Sequence, residues 1–346
     1  MKTTHRIVAG DARGLEELDD DAVELVVTSP PYPMVELWDD LFADLDGTVA
    51  SLLSDGDGDA AFEAMHEQLD AVWRELSRVL VDGGIACVNV GDATRTLGDG
   101  FRVYQNHARI IEAFESLGFD PLPEVLWRKP ANSTAKFMGS GMVPPNAYVT
   151  LEHEYILVFR NGGRRAFEPN ADRRYEAAYF WEERNQWFSD VWTDVRGETQ
   201  TLDNEDLRDR SAAYPFEIPY RLINMYSTYG DTVLDPFWGT GTTTLAAMVA
   251  GRNSVGYELD DGLVEAFDDR AADVPALSRR VTDERLDEHR AFIDRRRSTG
   301  ESFEYRADNY DFPVRTKQER GIQLYTAEAV TETDSGYRVR HEPKTE

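Results

Sequence analysis

The chain has 346 residues and a single cysteine, and its 65 acidic side chains against 37 lysines and arginines leave a formal charge of −28. A chain of this length can bury a sizeable core in one large domain, and the lone Cys87 excludes an intramolecular disulfide framework and a cysteine-based zinc cluster. The acidic residues are spread along the whole chain, the positive charge is nearly all arginine, no apolar run is long enough to span a bilayer and no signal peptide opens it, so a cytoplasmic, halophilic protein is expected.

Arg6-Ile7-Val8-Ala9-Gly10-Asp11 reads as a strand ending in a Gly-Asp turn, and Glu24-Leu25-Val26-Val27-Thr28 as a buried strand. Residues 44–60 are rich in Asp and Gly and read as a solvated loop. From Phe62, Met65, Leu69, Val72, Trp73, Leu76, Val79 and Leu80 keep helical spacing until Asp82-Gly83-Gly84 stops them. Ile85–Val90 is the next strand, residues 103–117 a helix closed by Gly118, and Glu124–Trp127 and Tyr155–Phe159 further strands. Residues 161–210 break this rhythm with arginine, aromatic and acidic residues and little periodicity. It resumes with a helix near Pro219–Thr228, strand Thr232–Leu234, a glycine turn, helix Thr243–Ala250 and strand Ser254–Glu258. Beyond Asp260 the chain is charged and mostly helical to about Arg297, with strand-like pieces such as Ile322-Gln323-Leu324-Tyr325 in the tail. The alternation predicts an α/β fold, a doubly wound, mostly parallel sheet.

Two motifs carry chemistry. In Asp235-Pro236-Phe237-Trp238-Gly239-Thr240-Gly241-Thr242, an acid ends a strand, two glycines allow a tight turn, and a helix opens with its free amides facing the turn. Glu258 ends the next strand, where a carboxylate can hold ribose hydroxyls. Gly-x-Gly-x-x-Gly and Gly-Lys-Ser/Thr are both absent, so neither a dinucleotide fingerprint nor a P-loop is present. A purely structural strand-to-helix turn is the plain alternative. In Thr28-Ser29-Pro30-Pro31-Tyr32-Pro33, two prolines stiffen a loop at a strand end. Ser29 and the Pro30 carbonyl can accept hydrogens from an exocyclic amine, and Tyr32 can stack on a base at about 1–3 kcal/mol. Such acceptors draw the amine out of ring conjugation and restore its nucleophilicity. The plain alternative is a proline-stiffened turn.

Taken together, these residues resemble the S-adenosylmethionine-dependent amino-methylating DNA methyltransferases. Thr28-Ser29-Pro30-Pro31-Tyr32 matches their catalytic motif, the serine form being that of N4-cytosine members, while N6-adenine members usually carry Asp or Asn. Asp235 through Gly241 looks like their cofactor motif, and Gly10-Asp11 like the acidic turn near the cofactor adenine. Leu80–Gly84, Gly118 through Pro130, His153–Phe159 and Tyr214–Ile223 resemble further elements. Many relatives have His and Phe-Pro where this chain has Arg210 and Tyr214-Pro215. The motif order is similar to the permuted β group, and Trp127–Pro144 with Glu152–Glu154 resembles archaeal methyltransferases of the CTAG palindrome.

The resemblance implies a Rossmann-like methyltransferase sheet with an inserted target-recognition segment. Residues 1–160 would form the catalytic half, 161–210 the recognition segment, 211–265 the cofactor half and 266–346 a charged helical extension. Ser29, Pro30, Pro31 and Tyr32 would be catalytic. Asp11, Thr28, Asp235, Phe237, Gly239, Thr240, Gly241, Thr242 and Glu258 would bind S-adenosylmethionine, with no metal. The partner would be double-stranded DNA, and a restriction endonuclease is compatible with it. N4-cytosine methylation at CTAG is expected; N6-adenine methylation, RNA base methylation and a non-catalytic nucleic-acid-binding module are the alternatives.

Arg160, Arg164, Arg165, Arg173 and Arg174, followed by Trp181, Trp187, Phe188 and Trp192, suggest contact with DNA. Arg164, Arg165, Arg173, Arg174, Lys129 and Lys136 are taken as the DNA-binding set; ion pairing to Glu176, Glu182 and Glu183 is the alternative. Cys87 lies in an apolar run and reads as a small buried hydrophobe rather than a nucleophile. His153 between two acids reads as structural or substrate-edge rather than as a metal ligand.

Overall fold

The apolar runs become strands covered on both faces. The computed structural model describes residues 1–97, 100–129, 138–196 and 214–345. Its strands are β1 (Lys2–Ala9), β2 (Val23–Thr28), β3 (Leu80–Val90), β4 (Ala93–Leu97), β5 (Gly100–Tyr104), β6 (Phe119–Arg128), β7 (Met138–Gly139), β8 (Ala147–Tyr148), β9 (His153–Asn161), β10 (Val191–Trp192), β11 (Thr232–Asp235), β12 (Asn253–Glu258), β13 (Tyr305–Arg306), β14 (Pro313–Val314), β15 (Tyr325–Thr333) and β16 (Gly336–Pro343). Ten of them form one sheet in the order β10-β6-β9-β3-β2-β11-β12-β1-β16-β15. The five strands from β3 to β1 run parallel. β9 inserts antiparallel between β3 and β6.

Period-two alternation divides the core. Val26, Ala86, Val88 and Val90 share a core with Met65, Leu69, Trp73 and Leu76 of helix Gly58–Val79 and with Ile110 and Phe114 of helix Asn106–Ser116. Leu25, Val27 and Cys87 share the other with helices Glu217–Tyr226 and Thr242–Ala250. Helices thus cover both faces of the sheet, the doubly wound arrangement. Cys87 is fully buried and burial pushes its thiol far above the usual range, so it packs as a hydrophobe.

The connections place the site. β2 crosses through helix Gly58–Val79 to β3 on one side, and β11 crosses through helix Thr242–Ala250 to β12 on the other. The winding reverses between β2 and β11, which opens a crevice at their carboxyl ends.

Several expectations change. Residues 44–60 are largely helical, with helices Asp39–Leu45 and Thr48–Ser54 and the start of Gly58–Val79. Val49 is buried there and Leu45, Leu52 and Leu53 pack on the core, which outweighs the Asp and Gly content. β3 begins at Leu80, not Ile85, and takes the Gly-Gly pair into an irregular stretch of its ladder. The extension is not only helical: after helix Val274–Ser298, β15 and β16 widen the sheet beside β1. Ile322 and Leu324 are buried just ahead of β15 rather than in it. Thr3 Oγ1 links His5 and His341 across the β1–β16 junction at 2.9 and 3.0 Å. Burial lowers those rings to pKa values of about 3 and about 4, so they join the sheet as neutral groups.

The described part of 161–210 is woven into the fold. Trp187 and Trp192 are buried, β10 pairs with β6, and Arg285 holds Glu183 in a buried ion pair at 2.8 Å. Phe180 caps a satellite core with Leu286, Phe292 and Phe312.

Candidate active site

A cavity of about 820 Å³ lies at the switch between β2 and β11. Gly10 and Asp11 after β1, Ser29–Tyr32 after β2, Asp235–Thr240 at and after the end of β11 and Glu258 at the end of β12 line it. Motifs far apart in sequence meet there because their strands run parallel and all end at the same edge.

The glycine turn is built from both flanks. Gly241 has φ +75°, and a Cβ there would meet Phe267 and Trp238 at 2.6 Å, so only glycine fits. Gly239 has φ +55° and a Cβ would meet nothing closer than 3.9 Å, which leaves that face of the turn open to a ligand. Glu258 takes the Gly239 amide at 2.7 Å and those of Leu259 and Asp260 at 2.9 and 3.0 Å, so the carboxylate is fixed before any ligand arrives. Burial raises its pKa against those donors.

Asp235 is 3% exposed. Its oxygens accept from Thr28 Oγ1 at 2.7 Å, the Phe237 amide at 3.1 Å and Thr243 Oγ1 at 2.6 Å. Burial pushes its pKa up to about 6, opposed by these donors. Thr28 does not line the cavity; it is fully buried and ties the catalytic strand to the cofactor turn. Gly241 likewise shapes the turn without lining the cavity. Phe237, Thr240 and Thr242 line it directly.

On the other wall, Tyr32 is only half-buried and its hydroxyl lies 3.1 Å from Ser29 Oγ. It donates to Glu154 Oε2 at 3.1 Å and accepts from Asn89 Nδ2 at 2.9 Å. A Cβ at Gly91 would meet the Tyr32 ring at 3.1 Å, so the glycine lets the ring lie against β3. Asp11 sits at the rim, bound to Arg13 at 2.6 Å. Burial opposes its ionisation, but the Arg13 guanidinium and amide hold it below the usual carboxylate range.

Further side chains build the site without a motif in the sequence to mark them. Tyr214 lines the cavity and hydrogen-bonds Thr243; its departure from the Phe-Pro pattern was the available signal, since the extra hydroxyl needs a partner. Arg13 and Gln68 join at 2.7 Å across the rim. Trp38 and its neighbours after the proline motif line the cavity, a segment without periodicity to mark it. Asn89 and Glu154 back the catalytic loop from strands whose pairing no local pattern announces.

The arginine cluster is not at this edge. Arg165 binds Asp231 through both terminal nitrogens at 2.6 and 2.9 Å, and Arg173 binds it at 3.0 Å. Asp231 and Glu24 stand at the amino ends of β11 and β2, about 13–20 Å from the cavity for strands of four to six residues. Arg165 and Arg174 also lie over the Phe167 ring. Arg164 is exposed and precedes the partly buried Arg165 in the same irregular stretch. β9 runs antiparallel to its neighbours, so its carboxyl end lies at the amino ends of β3 and β6 and delivers residues 162–176 to the far end, which corrects the expectation for Arg164, Arg165, Arg173 and Arg174. Arg160 pairs with Asp120 there. Lys129 lies on the cavity side of the sheet, where its ammonium binds Glu154, a partner of Tyr32, at 2.8 Å. Lys136 and Arg210 lie outside the described residues. Among the described residues no cluster of His, Cys, Asp and Glu could hold a metal ion, and no helix is long and apolar enough to cross a membrane.

The residues present fit a sulfonium nucleoside. Glu258 suits a ribose diol, Leu69, Val72 and Phe237 offer apolar surface to a purine, and the buried Asp235 carboxylate favours a positive charge nearby. The proline loop opens into the same cavity, so an amine and the cofactor's methyl group share one space.

Comparison with known proteins agrees. A family model described as DNA methylase, of the N6/N4 type, matches residues 23–269. The chain is 52% identical over 328 residues to the Type II methyltransferase M.MthZI of Methanothermobacter thermautotrophicus, covering 94% of this chain and 91% of that protein. It is 48% identical over 281 residues to the Type II methyltransferase M.MjaI of Methanocaldococcus jannaschii, covering 78% and 92%. A Thermus thermophilus protein described as a DNA modification methylase, solved with S-adenosyl-L-methionine, superposes with a TM-score of 0.60 at 32% identity, over 77% of this chain and 94% of that one. The PvuII cytosine-N4-specific DNA methyltransferase shares the fold, with a TM-score of 0.52 at 18% identity over 77% and 86%.

Proposed function

Because the chain belongs to the DNA methylase family of N6 and N4 amino-methyltransferases and takes S-adenosyl-L-methionine as cofactor, we propose that it methylates the exocyclic N4 of cytosine in double-stranded DNA. The observation that carries the reading is Ser29 at the head of the proline motif, its hydroxyl beside Tyr32 at a cavity shared with Glu258 and Phe237. The cofactor supplies an electrophilic methyl group. Ser29 Oγ and the Pro30 carbonyl take the amine hydrogens, Pro30 and Pro31 keep these acceptors in place, and Tyr32 stacks on the base. Asp11, Phe237, Gly239, Thr240, Thr242 and Glu258 hold the cofactor, with Thr28, Asp235 and Gly241 shaping the turn. The cytosine must leave the duplex to reach them.

The duplex approaches over the carboxyl ends of the strands, not over the arginines. At that edge Phe101 of hairpin β4–β5 stacks on Tyr148 at 5.0 Å, and Arg128 is exposed beside Glu152. CTAG is the site supported by the resemblance of Trp127–Pro144 and Glu152–Glu154 to methyltransferases of that palindrome. The relatives' designation as Type II methyltransferases supports a place in restriction–modification, with a restriction endonuclease as partner.

Short duplexes with labelled cofactor test the site. A CTAG duplex should be labelled, and a duplex of permuted sequence should not. Equal labelling of both would overturn CTAG, and labelling of single-stranded RNA in preference to either would overturn the duplex reading.

We also read the charge of −28 as adaptation to strong salt. Thermal stability should be highest in molar salt. DNA affinity should fall only shallowly with salt there, because each phosphate contact contributes a slope of about 0.9 in log–log terms and, among the described residues, Arg128 and Lys129 beside the site are already paired with Glu152 and Glu154. A steep slope, or highest stability in dilute buffer, would contradict this reading.

A further inference from the structure

We infer that Glu154 sets the direction of a hydrogen-bond chain through Tyr32 to Ser29 and receives the proton that the target amine releases; the inference rests on the amine-methylating reading above. Glu154 is 9% exposed, Asn89 2%. An ionised carboxylate only accepts hydrogen bonds, and an amide nitrogen only donates them. Asn89 Nδ2 donates to Glu154 Oε2 at 2.8 Å and to the Tyr32 hydroxyl at 2.9 Å. The one hydrogen of Tyr32 is therefore directed to Glu154, and the hydroxyl receives the hydrogen of Ser29 across 3.1 Å. Ser29 Oγ is left with its lone pairs free to accept from an amine.

Orienting Asn89 in this way leaves its Oδ1 buried without a partner among the described residues. That arrangement is costly by about 1–3 kcal/mol. Lys129 balances the carboxylate from its other oxygen, at 2.8 Å, with about half of its side chain in solvent.

The same chain disposes of a proton. Methyl transfer to a primary amine forms the N–C bond and breaks the C–S bond, whose electron pair stays on sulfur, leaving one surplus proton on nitrogen. That proton passes to Ser29 Oγ as the Ser29 hydrogen moves to the Tyr32 oxygen and the Tyr32 hydrogen to Glu154. Burial, and then the Glu154 charge, hold the Tyr32 hydroxyl well above its usual pKa, and in the relay the Tyr32 oxygen takes one hydrogen from Ser29 as it gives its own to Glu154, so it is not left as tyrosinate. Protonated Glu154 then loses the proton to solvent beside Lys129. Ser29 is the catalytic group; Glu154 and Asn89 are positioning residues that act through Tyr32.

The test is a double-mutant cycle on the full chain, with Glu154→Gln, Tyr32→Phe and the double variant. Gln keeps the size of the side chain and Phe keeps the stacking ring, so each changes the chain of protons with little loss of packing. Each single variant should lower kcat by about a hundredfold, the low end of proton-transfer catalysis. Cofactor and duplex Kd and the melting temperature should change little. The double variant should be no slower than the slower single one, because both interrupt one path. An unchanged kcat in Glu154→Gln, losses that multiply in the double variant, or a loss carried by Kd alone would overturn the relay. The wild-type product reads the function separately: N6-methyladenine would overturn the cytosine reading, while the cycle would still decide the relay.

Discussion

Replacing Tyr32 with alanine is expected to lower methyl transfer by at least about a hundredfold and to leave the cofactor Kd within about threefold of wild type. Loss of a stacked base contact costs about 1–3 kcal/mol, and a displaced amine adds a further factor, since a misplacement of about 1 Å can cost roughly a hundredfold. The ring also fills the space above Gly91, and its hydroxyl is the link between Ser29 and Glu154. The cofactor side is built from other strands: Glu258 is anchored on the Gly239, Leu259 and Asp260 amides, none of which touches Tyr32. Calorimetry with the cofactor beside single-turnover rates checks the division. A parallel loss of cofactor affinity would show that the two walls are one unit.

Asp235 should behave in the opposite way. Asp235→Ala removes the acceptor shared by the Thr28 and Thr243 hydroxyls and the Phe237 amide; Thr243 keeps the Val27 carbonyl, so the loss falls mainly on Thr28 and Phe237, at about 1–3 kcal/mol each, and both stability and cofactor binding should fall steeply. Asp235→Asn separates charge from shape. The folded pKa of about 6 lies above the ordinary 3.8, so the favourable contribution of this group is present below about pH 3.8 and is lost as pH rises through about 6. At neutral pH the buried charge therefore costs on the order of 3 kcal/mol. The Asn variant should melt no lower than wild type at pH 7.5, yet bind the positively charged cofactor about tenfold or more weakly, a loss of about 1.4 kcal/mol. Thermal melts and calorimetry read both. An Asn variant with wild-type cofactor affinity would show that the turn, not the carboxylate charge, favours the cofactor.

What the sequence made legible was local. Thr28–Tyr32 and Asp235–Thr242 carry their chemistry within a few residues, and each ends an apolar run, so their strand-end positions follow from pattern alone. Glu154 meets Tyr32 from 122 positions away; that contact depends on β9 inserting antiparallel beside β3, which no local spacing announces. The same reversal explains the arginines. Composition marked them as cationic, but strand direction decides which end of the sheet they occupy, and Asp231 holds Arg165 and Arg173 at the end remote from the cavity. Residues 44–60 are largely helical despite their Asp and Gly content, because burial of Val49 and packing of Leu52 and Leu53 outweigh propensity. The tail shows only strand fragments in its local pattern, because β15 and β16 gain their place in the sheet only beside β1.

The most direct test of the central claim is the identity of the methylated nucleoside. Duplex DNA is incubated with the enzyme and methyl-labelled S-adenosyl-L-methionine, digested to nucleosides and separated by chromatography with mass detection. The account predicts label in N4-methylcytosine and none after heat inactivation of the enzyme; label in N6-methyladenine, or in 5-methylcytosine, would contradict it.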